Sequence, residues 1–242
     1  MLERPKISVC MATYNGERFI YDQIVSILPQ LKRGDELVVV DDCSTDRSVS
    51  IIESFQDPRI VLLRNPQNCG VLKAFERALC NASGEVIFLA DQDDVWRADK
   101  VEKIISLFRA RPDVSLVQSG IEIIDAEGNI SAMTNSKLNR FKAGVLQTLI
   151  SNSYQGSAMA FRRSILKYCL PFPDDIPMHD MWIGILNQFV GKVEFIEEPL
   201  LYFRRHGRNV SPSRHAPLLQ MIRWRWSLVK NLVLICVRNL RL

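Results

Sequence analysis

The chain has 242 residues, 47% hydrophobic and 24% charged, with 11 Gly and 11 Pro, a balance that excludes disorder, collagen and a disulfide-stapled miniprotein. Such a length buries a core without metal or disulfide support, so stability alone predicts no cofactor. The net charge of +4 hides an asymmetry: residues 1–199 carry 22 Lys/Arg and 27 Asp/Glu, whereas residues 200–242 carry nine Lys/Arg and no acid. A basic tail on an acidic body calls for a polyanion, either membrane phospholipid, nucleic acid or a pyrophosphate-bearing ligand.

In chain order, Lys6–Ala12, Glu36–Asp41, Arg59–Arg64 and Val86–Ala90 are compact β-rich runs. Between the first two, Phe19, Ile20, Ile24, Ile27, Leu28 and Leu31 recur at helical spacing. Ser44 or Thr45 is expected to cap a second helix bearing Val49, Ile52 and Phe55, and Gly70 to open a third with Val71, Ala74, Phe75 and Ala78. Three βα units and a fourth strand imply a parallel sheet covered by helices, an α/β fold. A fourth helix carries Val101, Ile104, Ile105 and Phe108, and Arg111-Pro112 marks its stop. Beyond it Val114–Asp125, a turn at Ala126–Asn129, Ser157–Phe161, VEFI and LYFR predict mixed or antiparallel strands.

No Gly/Ser-rich linker separates these halves, 1–112 and 113–216, so residues 1–216 are expected to form one domain, followed by a basic helical tail from Pro217. The six cysteines are scattered, and MLERPKISVC lacks the apolar stretch of a signal peptide, which predicts a reducing cytoplasm. The longest apolar run of the tail, Leu232–Val237, is far short of a bilayer span.

In a parallel α/β sheet the ligand lies beyond the carboxyl ends of the strands. The first strand ends in Thr13-Tyr14-Asn15-Gly16, the second in Asp41-Asp42-Cys43-Ser44 and the fourth in Asp91-Gln92-Asp93-Asp94. Asp, Asn, Ser and Gly also follow strands simply because they make turns and caps. Five carboxylates at two strand ends repel one another unless a cation balances them, which predicts a divalent metal, with hard oxygen ligands favouring Mg²⁺ or Mn²⁺. A metal held by few carboxylates keeps positions for phosphate oxygens, so a nucleotide diphosphate is the natural ligand. The dinucleotide and P-loop glycine motifs are absent. Tyr14 beside Asp42 suits a base, by stacking and by accepting a ring imide proton.

Six stretches, SVCMATYNGERF, VVVDDCSTDRS, NPQNCGVLKAFERAL, VIFLADQDDVW, PMHDMWIG and LYFRRHGRNVS, resemble in order the motifs of a family 2 inverting glycosyltransferase of GT-A fold, across Ser8 to Ser211. DQDDVW with His179-Asp180 and R-x-H-G-x-N-V-S is most similar to the rhamnosyltransferase-like branch. The resemblance implies a Rossmann-like nucleotide-sugar half (1–112) with a mostly parallel sheet, fused to a mixed-sheet acceptor half (113–216), and it implies Thr13 and Tyr14 at the base, Asp42 on its imide nitrogen and Asp91 on the ribose. It implies Asp93 as metal ligand, with His206 either joining the metal or, as a loop histidine between arginines, contacting phosphate or nothing, and it sets Gly70 and Lys73 near phosphate or ribose, with a solvated Lys on a helix face as the equal alternative for Lys73. Asp180, ahead of a helix beginning Met181-Trp182, matches the general base. Where the family often reads DDGS this chain has Asp42-Cys43-Ser44.

On this resemblance Asp180 takes the proton of an acceptor hydroxyl as its oxygen attacks the sugar, and basic residues such as Arg205 help stabilise the departing diphosphate. The expected donor is a dTDP- or UDP-sugar, dTDP-L-rhamnose first. The expected acceptor is a saccharide or lipid-linked saccharide of cell-surface polysaccharide synthesis, and nucleic acid is no partner. A nucleotidyltransferase would need a Gly-rich basic loop after the first strand, and a non-catalytic relative would have lost its acids. The tail, with Trp224, Trp226 and five basic residues, is expected either to pack on the domain, to pair with another subunit or to lie in the headgroup region of an anionic membrane at the inner face of the plasma membrane.

Overall fold

The computed structural model describes residues 4–131, 144–150, 152–207 and 217–239. Strands β1 (Ile7–Thr13), β2 (Glu36–Asp41), β3 (Ile60–Arg64) and β4 (Val86–Asp91) alternate with helices α1 (Ile20–Ile27), α2 (Ser48–Ser54) and α3 (Val71–Asn81). There follow β5 (Val95–Trp96), α4 (Lys100–Ala110), β6 (Val114–Ile124), α5 (Val145–Ile150), β7 (Met159–Arg162), α6 (Leu166–Cys169), α7 (His179–Val190), β8 (Lys192–Arg204) and α8 (Leu218–Asn239). All eight strands form one sheet, in the order β3-β2-β1-β4-β7-β6-β8-β5. The first four run parallel, and β7 joins antiparallel to β4. The sheet therefore continues from the first half into the second without a break.

Alternation along the strands sends side chains to opposite faces. Val9, Met11, Leu37, Val39 and Phe88 pack with α1, Ile52 and α4 on one face. Cys10, Val38, Val40, Ile87 and Leu89 pack with α3, α7 and Leu228 and Leu232 of α8 on the other. Each fully buried aliphatic side chain contributes about 1.5–3 kcal/mol, so this two-faced pattern fixes which face each side chain takes, while the parallel pairing of β1–β4 brings their carboxyl ends to one edge.

Three local expectations are corrected. The helix after β2 begins at Ser48, not Ser44 or Thr45. Those two residues instead bind the loop after β1: Ser44 Oγ accepts from Asn15 N–H (2.9 Å), and Thr45 N–H donates to Asn15 Oδ1 (2.8 Å). The carboxylate of Asp46 serves the helix start, accepting from Ser48 N–H at 2.9 Å. Secondly, VEFI and LYFR are one thirteen-residue strand, β8. Its register against β6 shifts at Gly120, where any Cβ would stand 2.4 Å from the carbonyl oxygen of Glu197. Finally, Asp180 sits inside the first turn of α7 rather than ahead of it.

Candidate active site

The parallel register sets Ala12 beside Asp91 and Thr13 beside Asp41, so the polar ends of β1, β2 and β4 meet at one edge. Gln92 ties two of them. Its Oε1 accepts from the Thr13 hydroxyl (2.6 Å) and Tyr14 N–H (2.9 Å), and its Nε2 donates to Tyr14 O (3.2 Å). Gly16 permits this wedge, since a Cβ there would lie 2.3 Å from Gln92 Oε1. Tyr14 remains 46% exposed.

Asp42 is buried at the end of β2. Its carboxylate accepts from Asn65 Nδ2 (2.7 Å), Cys69 N–H (2.9 Å) and Gly70 N–H (2.7 Å). Gly70 opens α3 with φ of +84°, the left-handed region that glycine enters without steric cost. Asp42 thus locks the entry of α3 against β2. Lys73, one turn into α3, does not join this group. Its ammonium pairs with Glu76 (3.0 Å) and Asp174 (2.8 Å), a geometry that raises its pKa through both partners.

The acids after β4 form a ridge over buried cations. Burial is the largest influence on Asp91, and the charges of Asp93 and Asp180 add to it, so its carboxyl is held well above the carboxylate range. Asp94 is fully buried and raised for the same first reason, with Asp91 and Asp93 adding to it. Beneath them Lys100 is also fully buried. Its Nζ donates to Ser157 O at 2.5 Å and stands 4.2 Å from the centre of the Trp96 ring. Burial lowers its pKa, and Asp94 and Asp91 oppose that fall. Arg204 closes the ridge from β8: its N–H donates to Asp94 Oδ1 (3.0 Å), Nε to Asp93 O (3.0 Å) and an Nη to Ala126 O (3.0 Å), while its guanidinium lies over the Phe19 ring.

Asp93 Oδ2 stands 2.8 Å from His206 Nε2, and the His206 ring packs on Phe19 at 4.7 Å between centroids. Among the described residues, no group of three or more His, Cys, Asp or Glu gathers as a ready cation site. The pair still fits a divalent cation in part: one carboxylate and one imidazole converge there, and oxygen donors suit Mg²⁺ or Mn²⁺. Residues 208–216, which carry the end of the R-x-H-G-x-N-V-S pattern and the boundary of the tail, lie outside the described residues.

Across this edge lies Asp180. Its Oδ1 accepts from Met181 N–H (2.6 Å) and its Oδ2 from Gly156 N–H (3.2 Å). A helix N-terminus favours the ionised form, but burial outweighs the backbone donors and pushes the carboxyl up to about 6. Neighbouring His179 stacks on Phe75 at 3.9 Å with neither ring nitrogen hydrogen-bonded, and burial lowers it to about 3, so the imidazole is neutral.

The structure therefore brings Thr13, Tyr14, Asp91, Asp93 and His206 to one edge. It couples Asp180 to Asp91 by charge, assigns Asp42 and Gly70 to one capped turn, and directs Lys73 to surface acids. Sequence reasoning missed Lys100, Arg204 and Gly156. A lysine in an amphipathic helix reads as solvated, because burial of Lys is rare without partners that only the fold supplies. Of the Arg204-Arg205 doublet, Arg205 seemed the working group, but Arg204 is the buried one and Arg205 lies over the Phe203 ring.

The family model described as Glycosyl transferase family 2 matches residues 8–170. An uncharacterized glycosyltransferase of Nostoc sp. (strain PCC 7120) is 34% identical over 84% of this chain, which spans 66% of that protein. A UDP-Glc:alpha-D-GlcNAc-diphosphoundecaprenol beta-1,3-glucosyltransferase of Escherichia coli is 34% identical over 88% of this chain and 83% of its own length. Among solved structures, S. aureus TarS 1-349 in complex with UDP-GlcNAc is similar with a TM-score of 0.75 at 19% identity, over 93% of this chain and 67% of that one. Mannosyltransferase PcManGT from Pyrobaculum calidifontis, in complex with GDP-Man and Mn²⁺, is similar with a TM-score of 0.63 at 23% identity, over 99% of this chain and 65% of its own. At such identities these two are likenesses of fold.

Proposed function

The chain belongs to glycosyl transferase family 2, and from that premise we propose that it moves a sugar from a nucleoside diphosphate to an acceptor hydroxyl with inversion at the anomeric carbon. The observation that carries the reading is Asp180: a buried carboxylate with its pKa raised to about 6, held by two backbone N–H groups and set in the field of the acids after β4. Such a carboxylate is ionised at neutral pH yet basic enough to accept a proton.

Asp180 takes the proton of the acceptor hydroxyl as that oxygen bonds to the sugar C1. The bond from C1 to the diphosphate oxygen breaks on the opposite face, and its electron pair leaves with the diphosphate. Asp93 and His206 would hold Mg²⁺ or Mn²⁺, which when bound neutralises charge on the departing diphosphate. Tyr14 stacks on the base beside Thr13, and Asp91 accepts from the ribose. A carboxylate has about four acceptor positions. Asp42 uses three on Asn65, Cys69 and Gly70, which leaves one for the imide N–H of uracil or thymine. Lys73 is left out of the phosphate site because its ammonium already serves Glu76 and Asp174.

An imide-reading site supports a UDP- or dTDP-sugar. The DQDDVW and His179-Asp180 motifs favour dTDP-L-rhamnose, whereas the name of the Escherichia coli relative favours UDP-glucose. That name also supports a lipid-linked saccharide as acceptor, in cell-surface polysaccharide synthesis. The five described cysteines are free thiols, in keeping with a reaction in the reducing cytoplasm.

The test is diphosphate release by the purified protein with Mn²⁺, over a panel of nucleotide sugars and diphosphoundecaprenol-linked saccharides. We expect release from one pyrimidine-nucleotide sugar, dependent on acceptor and lost in Asp180→Asn. Release that survives Asp180→Asn undiminished overturns the assignment of the base, and preference for a purine-nucleotide sugar overturns the role of Asp42.

A further inference from the structure

We propose that α8 is an in-plane membrane contact: its inner face packs on the domain while its outer face docks on an anionic lipid surface. The two faces separate cleanly at helical spacing. Ser227, Leu228, Asn231 and Leu232 are buried, and Ile235 packs with them against the core. Asn231 Nδ2 donates to Asp175 Oδ1 (2.8 Å), Lys230 pairs with Asp175, and Arg225 Nε donates to Leu149 O (2.8 Å). The helix is therefore anchored and its rotation about its own axis is fixed.

That rotation turns outward Leu219, Ile222, Trp226, Val229, Val233 and Val237, all exposed, with Trp226 at 70%. Their steps of three and four residues make one apolar stripe on a helix that already has a separate buried face. The exposed Arg223 and Lys230 border this stripe, and residues 200–242 contain no acid. α5, whose last carbonyls Arg225 holds, carries the exposed Leu146 and Ile150 next to this helix.

Charge selects the occupant. A second copy of this stripe would set cations against cations with no acid on the helix to answer them. An anionic bilayer supplies the opposite charge for Arg223, while Lys230 stays with Asp175, and it offers an apolar boundary for the stripe and a headgroup level for the Trp226 ring. Among the described residues no helix is long and apolar enough to cross a membrane, so α8 lies on the surface. This surface does not depend on the reaction proposed above, since vesicle binding is read without any donor.

The experiment is flotation of the full chain with vesicles of phosphatidylglycerol and phosphatidylcholine at 1:3, and with pure phosphatidylcholine, at low and high salt. We expect flotation only with the anionic vesicles at low salt. The double variant Trp226→Glu/Val233→Glu should weaken it by about tenfold or more, and Arg223→Gln by about threefold. Both changes lie on exposed positions, and unchanged thermal unfolding verifies that the variants fold. A Trp226→Phe variant that floats but loses the blue shift of tryptophan emission would place Trp226 itself in the headgroups. No flotation at low salt, or flotation indifferent to Trp226→Glu/Val233→Glu, overturns the proposal. So does a dimer in light scattering that this double variant dissociates, which gives the stripe to a second copy.

Discussion

At the ends of β1, β2 and β4 the candidate residues are fixed by neighbours that the parallel register itself supplies, with Gln92 bound to Thr13 and Tyr14 and Asp42 bound to the start of α3. Asp180 is fixed differently. It depends on the first turn of α7 and on one backbone N–H from Gly156, in a segment whose carbonyls accept from Lys100, Gln118 and Ser119. The strand ends proposed to hold the nucleotide thus come from consecutive βα units, whereas Asp180 and Gly156, on the proposed acceptor side, come from elements farther along the chain.

The sharpest way to break this comparison is to remove one acid from each side. Asp93→Ala should reduce Mn²⁺-dependent diphosphate release by about 10³-fold or more, the worth of several kcal/mol of charge stabilisation, with circular dichroism unchanged. Full turnover in that variant would remove Asp93 from the metal site. Asp180→Asn should lower kcat by about 10² to 10⁴ while nucleotide affinity, measured by calorimetry, stays within about twofold. Equal loss of nucleotide binding would make Asp180 a cap of α7 and erase the distinction between the sides.

The same carboxylate sets a pH dependence. With its pKa raised to about 6, Asp180 is ionised and competent above that value and protonated below it. The rate should therefore be half-maximal near pH 6 and fall about tenfold per pH unit beneath. A limb that persists in Asp180→Asn, measured at its residual rate, would assign the titration elsewhere.

The legibility of the two sides followed their construction. All four parallel strands were readable to within a residue, because apolar β-branched runs ending in polar turns need no distant information. The acids at their ends were readable for the same reason. Lys100 was not, since its burial depends on Ser157, Asp91 and Asp94 meeting around it. Nor was Gly156, whose N–H matters only once α7 stands beside it, where a Cβ would come 3.2 Å from His179 Nε2. The single strand β8 was read as two because the Glu197-Glu198-Pro199 stretch looks like a break, and only the bulge opposite Gly120 carries the pairing across it.

A smaller effect separates binding from architecture on the nucleotide side. Asp42→Ala leaves Asn65 Nδ2, Cys69 N–H and Gly70 N–H without their acceptor. Orphaning such buried donors costs about 2 kcal/mol, a fall in Tm of about 4–8 °C for a chain of this size. Asp42→Asn keeps an acceptor oxygen and should recover much of that stability. It should still bind the nucleotide more weakly, because the amide offers a donor to an imide N–H. If Asp42→Asn binds nucleotide as the native chain does, Asp42 serves the fold alone.

The smallest expected effect concerns Lys73, which shares α3 with the Gly70 cap but pairs with Glu76 of the same helix and Asp174 of another segment. Its side chain is 48% exposed and its partner Asp174 is 87% exposed, so water screens the pair and its loss should cost below about 1 kcal/mol. If the ammonium is only a surface partner of Glu76 and Asp174, Lys73→Ala should leave donor KM and kcat within about twofold. A donor diphosphate offers a far stronger partner than two screened carboxylates, and a lysine that leaves them to grip it would betray itself in KM. A rise in donor KM of tenfold or more, at constant kcat, would therefore return Lys73 to the phosphate site and extend the nucleotide surface one turn along α3.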